Sequence, residues 1–419
     1  GEAAKDRGGG GPHPLQAYLV PARRVLSCHI FLYSERERSD MDLELSCYNS
    51  YYEIRLERLL ENYKKIKQFI APAEVIPVLK ANAYGMGTAE MARALTDFCH
   101  CPILACSQVY EGLAIREGGV VTPEILVIGP VLEQALPYVV RRELQIPLYT
   151  PEGAYALDRE AGRQGRRVRA QVKIDTGLRR IGAKPGVQLD ALIQALRQCP
   201  NIEIVGAFTH FAQAEYPEDH FTKGQFRTFQ TGVEQLRAAG FDLRYVHCCN
   251  TGATEWYREA VEYSTHVRVG SLLFGYSDMA DGSNPVGVED MLSWRSSIYH
   301  LQHLEPGESA SYDQLIKADR PMDLAVVGVG FADGIFCPMA RNGGAVLVND
   351  TRTHFLDTCM DQSYVDVTGI PCKVGDPVTL WGYSPSGAAY LSPEEFSKYG
   401  QIYTAYTSQS PERIKRLYL

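Results

Sequence analysis

No stretch of the 419 residues approaches the roughly twenty consecutive apolar positions of a membrane-spanning helix. Basic residues are not in excess: Lys+Arg 42 against Asp+Glu 50 leaves a net charge of −8. A nucleic-acid binder, which needs clustered cations against phosphate, is therefore a poor fit. Heptads and internal repeats are missing, which excludes coiled coils and solenoids. The eleven cysteines lack any regular spacing. Cys99-His100-Cys101 and Cys248-Cys249 are too tightly set for the usual zinc pairs, so no metal ligand set is assigned. Scattered, odd-numbered thiols read as reduced core residues of a cytoplasmic protein.

What is present is an ordinary globular composition, with 45% hydrophobic and 22% charged residues. Residues 1–45 differ from the rest, with Gly8-Gly9-Gly10-Gly11-Pro12 and the charged run Ser34 to Asp40. The apolar run Val25 to Tyr33 lies too far inside the chain for a signal peptide, and no small-residue cleavage site follows. This segment reads as a loosely ordered extension.

From about residue 50, short β-branched runs alternate with helical stretches. The runs are Val75–Leu79, Ile103–Cys106, Ile125–Ile128, Ile146–Tyr149, Val168–Ile174, Ile202–Phe208, Leu243–Val246 and Val267–Val269. Helices are expected over Thr88–Phe98 (with Thr88 as N-cap), Val131–Leu144, Glu152–Arg163, Val187–Gln198 and Phe221–Ala239. Eight strands alternating with helices predict an α/β fold, a (β/α)8 TIM barrel over residues 46–285. A doubly wound open sheet is the rival. After about residue 290 the period changes. Ser293–Leu304, Met322–Val329, Ala345–Val348, Tyr364–Val367 and Pro377–Leu380 read as strands of a mostly β C-terminal domain over 286–419.

Polar residues collect where the barrel strands end. Lys80 follows Val78-Leu79 and precedes the small, glycine-containing run Ala81 to Gly87. A lysine desolvated in a barrel mouth loses basicity and can form a Schiff base. Taken alone, it fits better a side chain snorkelling from a strand end. Lys173 to Gly182 closes the fifth strand, Thr209-His210-Phe211 the sixth, His247 to Thr251 the seventh and Arg268 to Ser271 the eighth. Barrel active sites occupy that face, and phosphates commonly bind beyond strands seven and eight. Asp175-Thr176-Gly177 spells the aspartic-protease triplet, but that chemistry needs two such carboxylates and only one is present.

Lys80 to Gly87, Lys173 to Gly182, Arg268 to Gly275, Gly330 to Gly334 and Cys359-Met360-Asp361-Gln362 resemble, in order, the motifs of bacterial alanine racemases. The likeness runs from about Tyr51 to the C-terminus. It implies a pyridoxal 5′-phosphate (PLP) enzyme with a small amino-acid substrate. By the resemblance, Lys80 would carry the cofactor. His210 and Asn250 would join Tyr84, Thr251, Gly270 and Ser271 around it, the last four holding its phosphate. Arg268 would face the pyridine nitrogen, and Arg180 the phenolic oxygen and the substrate carboxylate. Tyr312 would be the second base. Met360 would bind the substrate carboxylate through its backbone, with Asp361 beside it. Lys173 matches a position carbamylated in some members. Tyr312 and Met360 would reach across a homodimer interface, so that each site is built from two chains.

Racemisation removes a proton from one face of Cα and returns one to the other, which two bases on opposite faces accomplish without turning the intermediate over. The sequence departs from the family pattern at Phe331, Leu178-Arg179 and Asp313. An ungapped match puts Thr404 at a tyrosine that lines the family's substrate pocket, and a shift of one residue puts Tyr403 there. The reading is L-alanine to D-alanine interconversion supplying cell-wall precursors. The alternatives are a serine or broad-specificity racemase, a non-catalytic PLP-binding barrel and a PLP decarboxylase.

Overall fold

A computed structural model describes residues 47–400 and 413–419. The expected extension over 1–45 and the pocket position matched by Tyr403 or Thr404 lie outside the described residues.

The first strand, β1 (Ser50–Ile54), leads into the helix Leu56–Ile70. Leu56, Leu59, Tyr63, Ile66 and Ile70 recur at three- and four-residue spacing and are buried on one face. Eight parallel strands follow: β2 (Glu74–Pro77), β3 (Ile103–Cys106), β4 (Glu124–Val127), β5 (Leu144–Leu148), β6 (Val168–Lys173), β7 (Ile202–Phe208), β8 (Tyr245–His247) and β9 (His266–Val269). They are almost continuously apolar because helices cover one face and the barrel core the other. Strands β3 to β8 pair in sequence order, and β2 pairs with β9. Two seams close the ring. Val78 bridges Ala105, with Leu79 N donating to Ala105 O at 2.7 Å. Across the other seam, Thr265 N donates to Val246 O at 2.8 Å and Arg268 N to Cys249 O at 3.1 Å. The closed (β/α)8 barrel eliminates the open-sheet alternative.

Helices occur at Thr88–Asp97, Pro151–Arg163, Val187–Leu196 and His220–Ala238, close to expectation. Two local expectations are corrected. The helix foreseen over Val131–Leu144 is confined to Leu136–Arg141 after a 3₁₀ turn, and Leu144 already begins β5. Pro137 suits only a first helical turn, and the left-handed Glu143 (φ 54°) turns the chain into the strand. The N-cap of the Thr88 helix is Gly87, not Thr88, whose hydroxyl is turned back to Leu79 O.

The second domain contains β10 (Leu292–Leu304), β11 (Ser309–Ala310), β12 (Ile316–Lys317), β13 (Met322–Val327), β14 (Ala345–Val348), β15 (Thr351–Thr358), β16 (Ser363–Asp366), β17 (Pro377–Tyr383), β18 (Tyr390–Leu391) and β19 (Lys415–Tyr418). Strands β10, β13, β16, β15, β14 and β17 pair successively, and β17 pairs back to β10, making a closed β-barrel. Trp294 and Trp381 meet edge-on inside it, 4.8 Å between centroids, with Phe396 against both. One strand changes domain relative to expectation. β1, within the span read as TIM barrel, pairs antiparallel with β10 and parallel with β19. Both ends of the described chain thus meet in the second sheet.

Candidate active site

Lys80 stands where β2 runs out, at the C-terminal mouth of the barrel. The four residues after it, Ala81, Asn82, Ala83 and Tyr84, are all left-handed, with φ of 53°, 56°, 50° and 56°. Each such residue costs roughly 1–2 kcal/mol without compensation. The compensation is visible. The buried Glu111 carboxylate accepts from Ala81 N (2.6 Å), Ser107 N (2.7 Å) and Gln108 N (3.0 Å). Asn82 Oδ1 accepts from Thr88 N at 3.2 Å, and Arg416 Nε donates to Gly85 O. The turn sets Lys80 on the wall of a cavity of about 770 Å³. Burial lowers the Lys80 pKa, helped by Arg180 and opposed by Asp278 and Glu111.

Lys80, Tyr84, Arg180, His210, Asn250, Thr251, Arg268, Gly270 and Ser271 all line this cavity. On one side, Gly270 N and Ser271 Oγ donate to Thr251 Oγ1 at 3.3 and 3.4 Å, and Ser271 Oγ also reaches Asp278 Oδ1 at 2.7 Å. A Cβ on Gly270 would fall 2.0 Å from the Tyr84 hydroxyl, so only glycine lets that ring close the cradle. Asn250 caps the helix Thr251–Trp256, its Oδ1 accepting from Ala253 N at 3.4 Å.

Arg268 lines the same cavity and is buried, with both its terminal nitrogens engaged. It donates to Thr209 O (2.7 Å), His247 O (2.9 Å), Cys248 O (3.2 Å) and His247 Nδ1 (2.8 Å), and approaches His210 Nδ1 at 3.5 Å. Burial brings its pKa down to about 10, which leaves it charged at neutral pH. Burial, and then the Arg268 charge, hold His210 and His247 well below the ordinary histidine range, so both are neutral. Lys173 is also buried, its Nζ 4.3 Å from the Phe208 ring centroid. Burial, Arg268 and Arg180 push its pKa well down.

Tyr312, Met360 and Asp361 are brought together elsewhere, in a cleft of about 430 Å³ on the second domain. Within one chain they do not line the Lys80 cavity. Tyr312 is 74% and Met360 57% exposed. Left-handed Ser311, Asp313 and Gln314 present the tyrosine, and Ser311 Oγ is anchored to buried Asp357 at 2.5 Å. Phe331 N donates to Cys359 O (2.9 Å) and Ala332 N to Met360 O (3.0 Å). Arg413 then spans Asp333 (2.6 Å) and Asp361 (2.7 Å).

Two family models cover nearly all of this architecture: "Alanine racemase, N-terminal domain" matches residues 54–278 and "Alanine racemase, C-terminal domain" residues 291–418. The chain belongs to the alanine racemase family. Proteins called alanine racemase from Methanococcus maripaludis and Geobacter sulfurreducens are 31% and 32% identical over 88% of this chain and 98% and 96% of theirs. The solved alanine racemase of Clostridium difficile 630 superposes with a TM-score of 0.82 at 27% identity, covering 88% of this chain and 96% of that one. A histidine racemase from Leuconostoc mesenteroides subsp. sake gives 0.80 at 25% identity, covering 89% and 98%. An alanine racemase family member is an amino-acid racemase, so a binding barrel without the second domain and a decarboxylase are both set aside.

The alanine racemase family implies PLP, and the cavity fits it. A phosphate needs donors in a cradle that no side chain fills, which Thr251, Gly270 and Ser271 supply. An aldehyde needs a lysine of lowered basicity, which Lys80 supplies. A buried cation for the heterocycle stands at Arg268. The sequence reading passed over Glu111, Asp278, Asp357 and His247 as functional groups. Glu111 carried a visible signal, since it completes a capping box with Gln108. Asp278 and Asp357 carried none.

Proposed function

We propose that this protein interconverts L- and D-alanine with PLP, using Lys80 and Tyr312 as the two bases in a homodimer whose sites combine residues of both chains. The observation that carries the reading is the gathering of these groups in one cavity: Lys80 on its strained turn, the Thr251–Gly270–Ser271 cradle and charged Arg268.

When bound, PLP supplies an electron sink that acidifies the substrate Cα–H. The chain's own groups do the rest. Lys80 Nζ, made a weaker base by burial, gives or takes a proton on one face of Cα. The partner's Tyr312 serves the other face, consistent with its exposure on this chain. Arg180 at the cavity wall pairs with the substrate carboxylate, and the partner's Met360 N–H, which has no acceptor among the described residues of its own chain, adds a second donor to it. Arg268 keeps its protons at neutral pH, so it donates a hydrogen bond to the heterocycle rather than a proton. That restraint favours quick return of the proton to Cα over competing bond cleavages. The likeness to the family supports a cytoplasmic enzyme that supplies D-alanine for cell-wall precursors.

A different or broader substrate is favoured by one observation, the likeness to the histidine racemase. Holoenzyme incubated with L-alanine is expected to yield D-alanine on chiral chromatography, with an absorbance band near ~420 nm that Lys80→Ala abolishes. A kcat/KM for serine or histidine above that for alanine would overturn the substrate assignment. A band that survives Lys80→Ala would overturn the cofactor linkage.

A further inference from the structure

Five polar side chains on five barrel strands form one hydrogen-bonded line through the barrel interior. It runs from Arg268 on β9 to Glu124 at the start of β4. Arg268 Nη1 meets His247 Nδ1 at 2.8 Å. A guanidinium has donors only, so Nδ1 is the acceptor. The imidazole proton is therefore on Nε2, which donates to Gln171 Oε1 at 2.7 Å. Gln171 Nε2 in turn donates to Gln145 Oε1 at 2.7 Å, and Gln145 Nε2 donates to the Glu124 carboxylate. Each inner member gives one bond and takes one, in a single direction. The direction is fixed at both ends, because a guanidinium cannot accept and a carboxylate cannot donate.

Gln145, Gln171 and His247 are essentially inaccessible. Barrel interiors are ordinarily filled by apolar branched residues, and an unpaired amide or imidazole there is costly. The line is satisfied throughout, and one strand makes way for it. β7 lies between β6 and β8 and contributes Gly206, paired with Gln171 on one side and Tyr245 on the other. A Cβ at Gly206 would fall 2.9 Å from Gln171 Oε1 and 2.5 Å from Tyr245 O. The glycine is the opening through which Gln171 reaches His247. Outside, Arg169 and Arg244 pair with Glu124 and hold the terminal acceptor in place.

We infer that Gln145, Gln171 and His247 are positioning residues: through them the Glu124 carboxylate holds His247 as its neutral Nε2–H form, and His247 holds the Arg268 guanidinium in one pose on the cavity wall. With the proton on Nδ1 instead, two donors would face each other and Arg268 would be displaced. Bonds pointing in one direction also polarise one another, so the carboxylate's influence is relayed rather than lost with distance. The surrounding groups work the same way. Burial, and then the Arg268 charge facing His247, oppose a positive imidazole.

The kinetic part of the test rests on the racemase reading; the tautomer part does not. Protein labelled with 15N-histidine is examined by long-range 1H–15N correlation, with and without PLP, and His247 is assigned by its loss in His247→Gln. The expected result is a neutral, Nε2-protonated ring in wild type. In Gln145→Leu and Gln171→Leu that signature is expected to weaken. There kcat should fall roughly ten-fold, with KM for alanine changing less than about two-fold. Arg244→Gln, which removes an ion pair to Glu124 but no member of the line, should keep the wild-type signature. A wild-type His247 that is protonated or carries its proton on Nδ1 overturns the inference, and needs no variant to fold. Unchanged kcat in both leucine variants also overturns it. If wild type racemises no amino acid while the tautomer is as stated and responds to Gln145→Leu, the relay stands and the racemase reading falls.

Discussion

The Tyr418 hydroxyl donates to the Met86 carbonyl at 2.7 Å and lies 2.2 Å from where a Cβ on Gly87 would stand. Strand β19 thus braces the turn that follows Lys80. Gly87 also has φ of +99°, which L residues rarely adopt. Gly87→Ala is expected to lower stability by about 2 kcal/mol or more and to cut activity further by moving Lys80. Tyr418→Phe keeps the ring and loses one hydrogen bond, for about 1 kcal/mol. Thermal unfolding beside rate assays checks both, and an unaltered melting temperature in Gly87→Ala would contradict the bracing.

Composite sites make a subunit-mixing prediction. Lys80→Ala and Tyr312→Ala homodimers should each be inactive. Co-refolded together, they should recover roughly a quarter of wild-type activity, because half the dimers are mixed and each mixed dimer holds one intact site. Activity that stays at zero in a mixture shown to contain heterodimers would mean that Tyr312 serves its own chain or neither.

Burial, and then Arg268 and Arg180, push the Lys173 pKa well down and favour its neutral amine. A neutral amine adds carbon dioxide with loss of a proton, and the resulting carbamate would face those two cations. Native mass spectrometry of protein held in bicarbonate is expected to show one added carbon dioxide, absent in Lys173→Ala. The same variant should lose activity that small carboxylates partly restore. An unmodified mass in bicarbonate would leave Lys173 as an uncarbamylated wall residue.

Glu255 bears on stability against pH. Burial raises its pKa to about 7 from 4.5, while Asp278 N donates to its Oε2 at 2.9 Å. The folded form therefore holds a proton that the unfolded chain gives up, and stability falls as pH rises from about 4.5 to 7. The loss amounts to about 3 kcal/mol once both states are ionised. Glu255→Gln should remove this contribution. Its denaturation midpoint relative to wild type should be higher at pH 8 than at pH 5. A pH-independent difference would contradict the raised pKa.

The eight barrel strands were legible because a strand buried on both faces is a short apolar run, and each run found a strand within about two residues. Strand β15 was not, since its first half is exposed and polar at Thr351, Arg352 and His354, which breaks the apolar signal. β1 was placed in the wrong domain because its partners, Leu292 to Ser296 and Lys415 to Tyr418, lie far away along the chain. Pairing at that range leaves no local mark. Among site residues, Lys80, Arg268, Thr251 and Ser271 could be found from their shared place at strand ends. Gln145 falls just outside the run Ile146–Tyr149 and Gln171 lies unmarked inside Val168–Ile174, and only the pairing of β5 with β6 makes them neighbours. The separation of Tyr312 from Lys80 within one chain likewise depends on how the two domains fold, which no spacing encodes.

The pairing of β1 with β19 has a bearing on how the molecule is made. Residues 50–54 leave the ribosome long before their parallel neighbour, 415–418. The intervening barrel can form as its strands appear, while the early strand must wait with one edge bare. Arrival of the late strand is then the event that fills that edge and fastens the turn beneath Lys80, so a product truncated ahead of it would carry a folded barrel with an unbraced lysine.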